Sequence, residues 1–246
     1  MFNYKLTIQY DGTDYSGWQI QQNAVTVQGV IASKLETLTK QKINLLGAGR
    51  TDSGVHAMGQ VANFSCTEEL DVYRFLYSLN SMLPFDIAVK EMKQVPLEFH
   101  SRFKAVSRTY YYIISKSKSP FFKKYSYLIH SKIDVEKLNK LSLSFIGKKD
   151  FQVFAREMPD NGKTECEIKS ARWKDYGDKI IFRIEADRFL HSMVRMITGT
   201  LLRFEKENLP AELLAQMIAE KDKKLLGATA PAQGLFLVKV KYGVNN

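Results

Sequence analysis

Cysteine is scarce in this chain: Cys66 and Cys166 are the only two among 246 residues. They lie far apart, with no CxxC or Cys/His spacing, so neither a disulfide framework nor a zinc site is expected and both read as buried free thiols. Histidine is almost as sparse. His56, His100, His130 and His191 show no ligand spacing, which disfavours metal-assisted hydrolysis, and no metal is expected. No apolar run approaches the length that crosses a bilayer. The first twenty residues alternate Tyr4, Leu6, Ile8 and Tyr10 with Lys5, Thr7 and Gln9. That is the pattern of a half-buried strand rather than a secretory signal, so a cytoplasmic protein without a membrane partner is expected. GxSxG, the Walker lysine motif and HExxH are also missing. Gly47-Ala48-Gly49 invites a dinucleotide fingerprint, but Asp52 holds the third glycine's place and a strand-like segment follows, so the helix start that would cradle a phosphate is missing.

What is present is an ordinary globular composition, 45% hydrophobic and 25% charged, with an unusual formal charge of +10. A surplus of that size points to a polyanionic partner, nucleic acid first; a merely basic soluble protein is the plainer alternative. Between Lys116 and Tyr127, cations alternate with Phe121, Phe122 and Tyr125 around Pro120. Such a loop suits phosphate contact with base stacking, or equally an apolar loop docked on the body with its lysines turned outward.

Periodicity predicts strand, helix, strand, strand, helix, strand over the first hundred residues. The first helix starts near Thr26, with Val27, Val30, Ile31, Leu35 and Leu38 on one face; Ile43 to Leu46 and Val61 to Phe64 read as strands. The second helix turns Val72, Phe75, Leu76, Leu79 and Leu83 inward before Pro84, and Ile87 to Val95 reads as a strand. Beyond residue 104 come a strand at Arg108–Ile114, a helix capped by Asp134 and two strands, Cys166–Trp173 and Lys179–Ala186. A long helix opening at Phe189, a short one from Pro210 and an alternating strand from Phe236 to Tyr242 complete the chain. The order implies an α+β protein of two similar halves, residues 1–104 and 105–246, with a cleft between them as the expected site.

Within the first half, Gly49-Arg50-Thr51-Asp52-Ser53-Gly54-Val55-His56-Ala57 displays one carboxylate in a tight turn between two apolar segments. Taken by itself, Asp52 reads either as a turn residue bonding its own backbone or as a reacting group on a rigid scaffold. One carboxylate without a metal or partner acid can act as a covalent nucleophile if a cation steadies it. Arg50 and Arg195 are the candidates; Arg195, on a strongly apolar helix, either turns to solvent or reaches a buried acid.

Five blocks carry a resemblance. Tyr10 to Trp18, Gly49 to Ala57, Arg108-Thr109-Tyr110-Tyr111-Tyr112, Phe189 to Gly199 and Ala230 to Leu235 occur in the order found in the tRNA pseudouridine synthase A family, which this chain closely resembles over nearly its whole length. The resemblance implies two α/β halves sharing a mixed, largely antiparallel sheet with helices on one face and the active cleft between them. It implies isomerisation of uridine to pseudouridine without cofactor or metal, in tRNA at uridines 38 to 40 of the anticodon stem-loop, by a homodimer. Asp52 is then the nucleophile, attacking uracil C6 or ribose C1', Tyr110 stacks on the target base, and Arg195 pairs with Asp52. Arg50 is expected to fill the gap left by an extruded nucleotide or hold its phosphate; His56 and Gln60, grouped with it as substrate-binding residues on the same segment, are expected to support the site from behind, and a plain structural histidine is nearly as good a reading of His56. Tyr112 reads as core. Lys149-Asp150-Phe151 departs from the family's His-Asp-Phe. The rivals are the same chemistry on another RNA, such as ribosomal RNA, and a non-catalytic RNA-binding module.

Overall fold

Alternation decides the first element. In β1 (Phe2–Tyr10) the side chains of Tyr4, Leu6, Ile8 and Tyr10 are buried, while Lys5, Thr7 and Gln9 are half-buried or exposed, as a strand with one apolar face requires. The computed structural model describes residues 1–159 and 162–243. The chain divides into two units: Met1–Val106 together with the segment from Phe236, and Ser107–Leu235. The strand that ends the chain thus counts with the first unit, although chain order places it in the second half.

In the first unit, Thr26 caps α1 (Val27–Thr39) by accepting from the Gly29 N–H. β2 (Leu46–Gly47) is much shorter than the apolar stretch from Ile43 led one to expect, and it pairs with β3 (His56–Cys66). Asp71 caps α2 (Val72–Met82), and β4 (Ile87–Val95) follows. β1 lies antiparallel between β3 and β4, with Tyr4 opposite Phe64 and Leu6 opposite Met92. The rings of Tyr4, Phe64 and Phe75 run in series at 5.6 and 6.3 Å, which seats α2 on the buried face of β1. The inward face expected of α2 is only partly realised. Leu79 and Leu83 are buried, but Val72, Phe75 and Leu76 are half-buried and Tyr73 and Tyr77 are 83% and 75% exposed. That leaves an apolar helix face on the surface.

The second unit holds β5 (Ala105–Ser115), β6 (Tyr127–Leu128), α3 (Val135–Ser142), β7 (Gly147–Asp150), β8 (Glu165–Asp175), β9 (Lys179–Ala186), α4 (Met193–Lys206) and α5 (Ala211–Glu220). The antiparallel order is β5-β9-β8-β7, and β6 adds to β5 in parallel. α3 is fastened to β8 by a two-way bond between the Asn139 amide and the Trp173 main chain, and by the Trp173 indole donating to Ser142 Oγ at 3.1 Å. Trp173 in turn stacks on Phe182 at 4.4 Å, so this helix covers the face of β9 carrying Ile180, Phe182 and Ile184, each fully buried. Each such side chain contributes roughly 1.5–3 kcal/mol of burial. The segment departing from the family pattern is structural: Phe151 packs with Phe145 and Phe154, Asp150 pairs with Lys221 at 2.7 Å, and Lys149 donates to the Ser144 carbonyl. The last strand, β10 (Leu235–Tyr242), runs parallel to β3 with Phe236 opposite His56 and Leu237 opposite Ala57, which makes the first unit's sheet mixed. Among the described residues no helix is long and apolar enough to cross a membrane.

Candidate active site

The turn bearing Asp52 is held by the chain on both sides of it. Its closing hydrogen bond, from the Val55 N–H to the Asp52 carbonyl at 3.1 Å, is made by the main chain rather than by the carboxylate. Thr51, immediately before, accepts the Trp18 N–H on its carbonyl at 3.1 Å and meets the Tyr10 hydroxyl with its own at 2.7 Å. Immediately after, the Ser53 hydroxyl and the Gly54 N–H both donate to the Tyr15 carbonyl, at 3.1 and 3.4 Å. Asp52 itself is half-buried. These bonds fix the main chain from which the Asp52 carboxylate projects.

The opening loop, Asp11 to Trp18, is therefore a buttress for that turn. Trp18 is 2% exposed and stacks on Tyr10 at 6.0 Å; the Tyr15 hydroxyl donates to Asp86 at 2.7 Å. Burial, and then the bond to the Asp86 carboxylate and its charge, push the Tyr15 phenol up, so it remains a donor. Gly17 has φ +91, and a Cβ there would fall 2.5 Å from the Thr51 carbonyl oxygen, so no other residue allows this approach. Composition gave no role to this block beyond its family match. The signal that would have found it is a long-range main-chain contact, which spacing does not encode.

His56 and Gln60 are both buried beside the turn. Gln60 is fully buried and donates to the Gly49 carbonyl at 2.9 Å, holding the leg that leads to Arg50. His56 is 1% exposed, stacks on Phe236 at 4.6 Å, and accepts the Gly12 N–H on Nδ1 at 3.1 Å. Asp11 Oδ1 lies 3.0 Å from the same nitrogen, an ion-pair geometry that would need a proton there. One nitrogen cannot serve both; the directed main-chain bond decides it, leaving the ring proton on Nε2, while Asp11 Oδ1 accepts the Thr13 N–H at 3.0 Å. Arg50 is exposed, as a residue meeting a polyanion must be.

The second unit carries Tyr110 and Arg195. Tyr110, on β5, is 7% exposed with its ring edge-on to Phe189 at 5.2 Å. Arg195 is half-buried on α4, which begins at Met193 and not at Phe189, because Ser192 adopts φ 58 and breaks the helical path. Its side chain does not simply turn to solvent: Nε donates to the Ala230 carbonyl at 2.8 Å, and the Ala230 N–H returns to the Arg195 carbonyl at 3.1 Å. Gly199, one turn on, makes this possible, since a Cβ there would collide with the Ala228 carbonyl oxygen. The adjoining Pro231 carbonyl accepts the Tyr112 hydroxyl at 2.8 Å. Tyr112 is fully buried and burial pushes its phenol far up, so it is core, as its position predicts. The block from Ala230 to Gly234 thus holds Arg195 and Tyr112 in place, a role the sequence did not disclose.

Comparison with known proteins adds to this geometry. The family model described as tRNA pseudouridine synthase matches residues 6–104 and 142–243. tRNA pseudouridine synthase A of Acetivibrio thermocellus is 42% identical over 245 residues, covering 98% of this chain and 100% of its own. The protein of the same name from Chlorobaculum tepidum is 42% identical over 239 residues, 97% of each chain, and that of Bacteroides thetaiotaomicron 39% over 245, covering 98% and 91%. The segment with Tyr110 lies outside the two matched family stretches but within these near-complete alignments. On the family match and the full-length relatives together, the chain belongs to the tRNA pseudouridine synthase family.

Proposed function

We propose that the protein converts uridine to pseudouridine in tRNA, at uridines 38 to 40 of the anticodon stem-loop, in the cytoplasm, with Asp52 as nucleophile. The observation that supports this most is the Asp52 turn, a half-buried carboxylate whose flanking residues are fixed by Tyr10, Tyr15 and Trp18. In the reaction the N1–C1' bond breaks and a C5–C1' bond forms; the C5 proton is lost and N1 ends protonated, so atoms are conserved and no oxidant or water is consumed. Asp52 attacks C6 of the uracil or C1' of the ribose. Arg195 supplies the cation for the nucleophile's carboxylate, and Tyr110 stacks on the base. A base in a stem must first leave the stack, at a cost of a few kcal/mol, and exposed Arg50 beside the nucleophile is suited to hold the gap or the phosphate.

Binding energy for that extrusion comes from phosphate contacts, for which a charge of +10 is the resource. The loop around Pro120 combines both of its sequence readings. Lys179 Nζ caps the Phe122 ring at 3.3 Å, whereas Phe121 is 83% exposed beside exposed Lys118, Lys123 and Lys124. The deciding test is incubation with an unmodified tRNA transcript followed by site-resolved pseudouridine detection. Product at one or more of uridines 38 to 40 is expected; product in ribosomal RNA alone, or none in any RNA, refutes the reading.

The active form is a homodimer. Supporting this is the apolar surface on and after α2, where Tyr73, Tyr77 and Phe85 are largely exposed, aromatic rings of the kind a partner surface covers. Light scattering should return twice the chain mass of 28.2 kDa, and a mass of one chain at assay concentration would rule the dimer out.

A further inference from the structure

Between β4 and β5 the chain runs Pro96-Leu97-Glu98-Phe99-His100-Ser101-Arg102-Phe103-Lys104, and this stretch has a core of its own. Asn3, Asn63 and Ser101 are 1%, 3% and 0% exposed, and all three are committed to holding it. Asn3 Nδ2 donates to the Pro96 and Phe99 carbonyls, each at 3.0 Å, and Asn63 Nδ2 donates to Asn3 Oδ1 at 3.1 Å. Asn63 Oδ1 accepts the Ser101 N–H at 2.9 Å; the Ser101 carbonyl accepts the Tyr242 hydroxyl at 2.8 Å, and its hydroxyl bonds the Leu46 carbonyl. A buried polar network with every member paired rigidifies whatever it carries.

What it carries is exposed. Phe103 is 74% exposed, with the Arg102 guanidinium 5.6 Å from its ring centroid and the His100 ring at 4.3 Å; Lys104 is exposed next to them. His100 Nδ1 accepts the Arg102 N–H at 3.1 Å, so the imidazole fixes the turn that presents arginine and phenylalanine together. Partial burial, then the Arg102 charge, hold His100 below its ordinary range, which keeps that nitrogen an acceptor at neutral pH. Lys5 adds a further cation, its Nζ 5.4 and 5.5 Å from the Phe99 and Tyr242 rings. Glu98 is the one acid of the stretch. An outward aromatic face beside cations on a rigid mount is what nucleobase stacking with phosphate contact requires; a protein partner would call for a drier, less charged surface.

Position separates this patch from the chemistry. Ser101 is anchored at Asn63, while the Asp52 turn enters β3 at His56, seven residues away, roughly 20 Å along a strand. We infer that Phe103 and Arg102 form a remote RNA-binding platform, on which an unpaired base of the tRNA stacks against Phe103 while Arg102 and Lys104 hold adjoining phosphates. This rests on the tRNA reading above and names residues that reading does not use. A contact made equally before and during the bond-making step contributes to affinity and not to that step, and a mount this far from the reacting base is of that kind.

Direct binding of unmodified tRNA, measured apart from turnover, separates failure of this inference from failure of the proposed reaction. Phe103→Ala should weaken binding roughly tenfold and raise KM alike with kcat within about twofold, and Phe103→Tyr should restore both. Arg102→Gln should lower the slope of log affinity against log salt by about one. Because Phe103 is mostly solvated, the melting temperature of its variants should stay at that of the parent. Unchanged tRNA affinity in both Phe103→Ala and Arg102→Gln overturns the platform, whether or not the protein isomerises uridine. A fall in kcat at unchanged affinity, or a change in oligomeric mass accompanying the loss, overturns it as well.

Discussion

Asp52→Asn is expected to lower isomerisation of tRNA by roughly 10⁴-fold or more, the scale seen when a nucleophile or its direct partner is removed from an enzyme. Affinity for tRNA should stay within about threefold, since one neutralised acid removes no phosphate contact. The substitution is nearly isosteric, and it leaves in place the bonds that Thr51, Ser53, Gly54 and Val55 make around the turn, so an unchanged melting temperature is expected with it. A loss of turnover in this variant therefore reports chemistry and not a collapsed loop. Single-turnover assays with saturating enzyme separate the step from product release. Retained isomerisation would return Asp52 to the status of a turn residue. Binding without turnover in the parent protein as well would leave the RNA-binding module as the better description.

How far such a site could be read in advance depended on whether its residues act through nearby or distant chain. β4 and β9 have the bounds their alternation predicts, because each is bracketed by strong punctuation, Pro84 before one and Gly177 before the other. α4 misled: Phe189 and Leu190 continue its apolar period, but Ser192 at φ 58 starts the helix at Met193, and periodicity is blind to one residue's backbone. β7 went unseen because Gly147-Lys148-Lys149-Asp150 is polar and owes its strand geometry to pairing with β8. Asp52 was conspicuous through its glycine-flanked motif. Its buttress was not, for Trp18 and Tyr15 act through main-chain bonds to residues more than thirty positions away. His56 and Gln60 share the motif's segment and look like site residues, and only burial reveals that they face inward. Local pattern thus recovered most of the elements, while the contacts that hold the Asp52 turn are tertiary and lie outside its reach.

Arg195→Ala is expected to cost turnover roughly 10²–10³-fold, the range for deleting a preorganised donor aimed at developing charge, with a smaller effect on tRNA affinity. Arg195→Lys is the sharper test. The arginine's Nε holds the Ala230 carbonyl at 2.8 Å, and in the proposed reaction its outer nitrogens supply the cation. A lysine has a single terminal nitrogen, which can keep Ala230 or serve as the cation but cannot reproduce the planar fork that does both. Lysine should therefore recover no more than about tenfold of the alanine variant's loss. Arg195→Ala leaves the Ala230 carbonyl short of a donor and should cost about 1–3 kcal/mol in stability, whereas Arg195→Lys does so only where its amine serves as the cation instead. Equal destabilisation with unequal turnover would assign the difference to charge placement. Full activity in Arg195→Lys would mean that a point charge suffices and that the Ala230 bond is incidental. Turnover unchanged in Arg195→Ala would show that the side chain serves α4 and the segment packed against Gly199 alone, and would return the cation's role to Arg50.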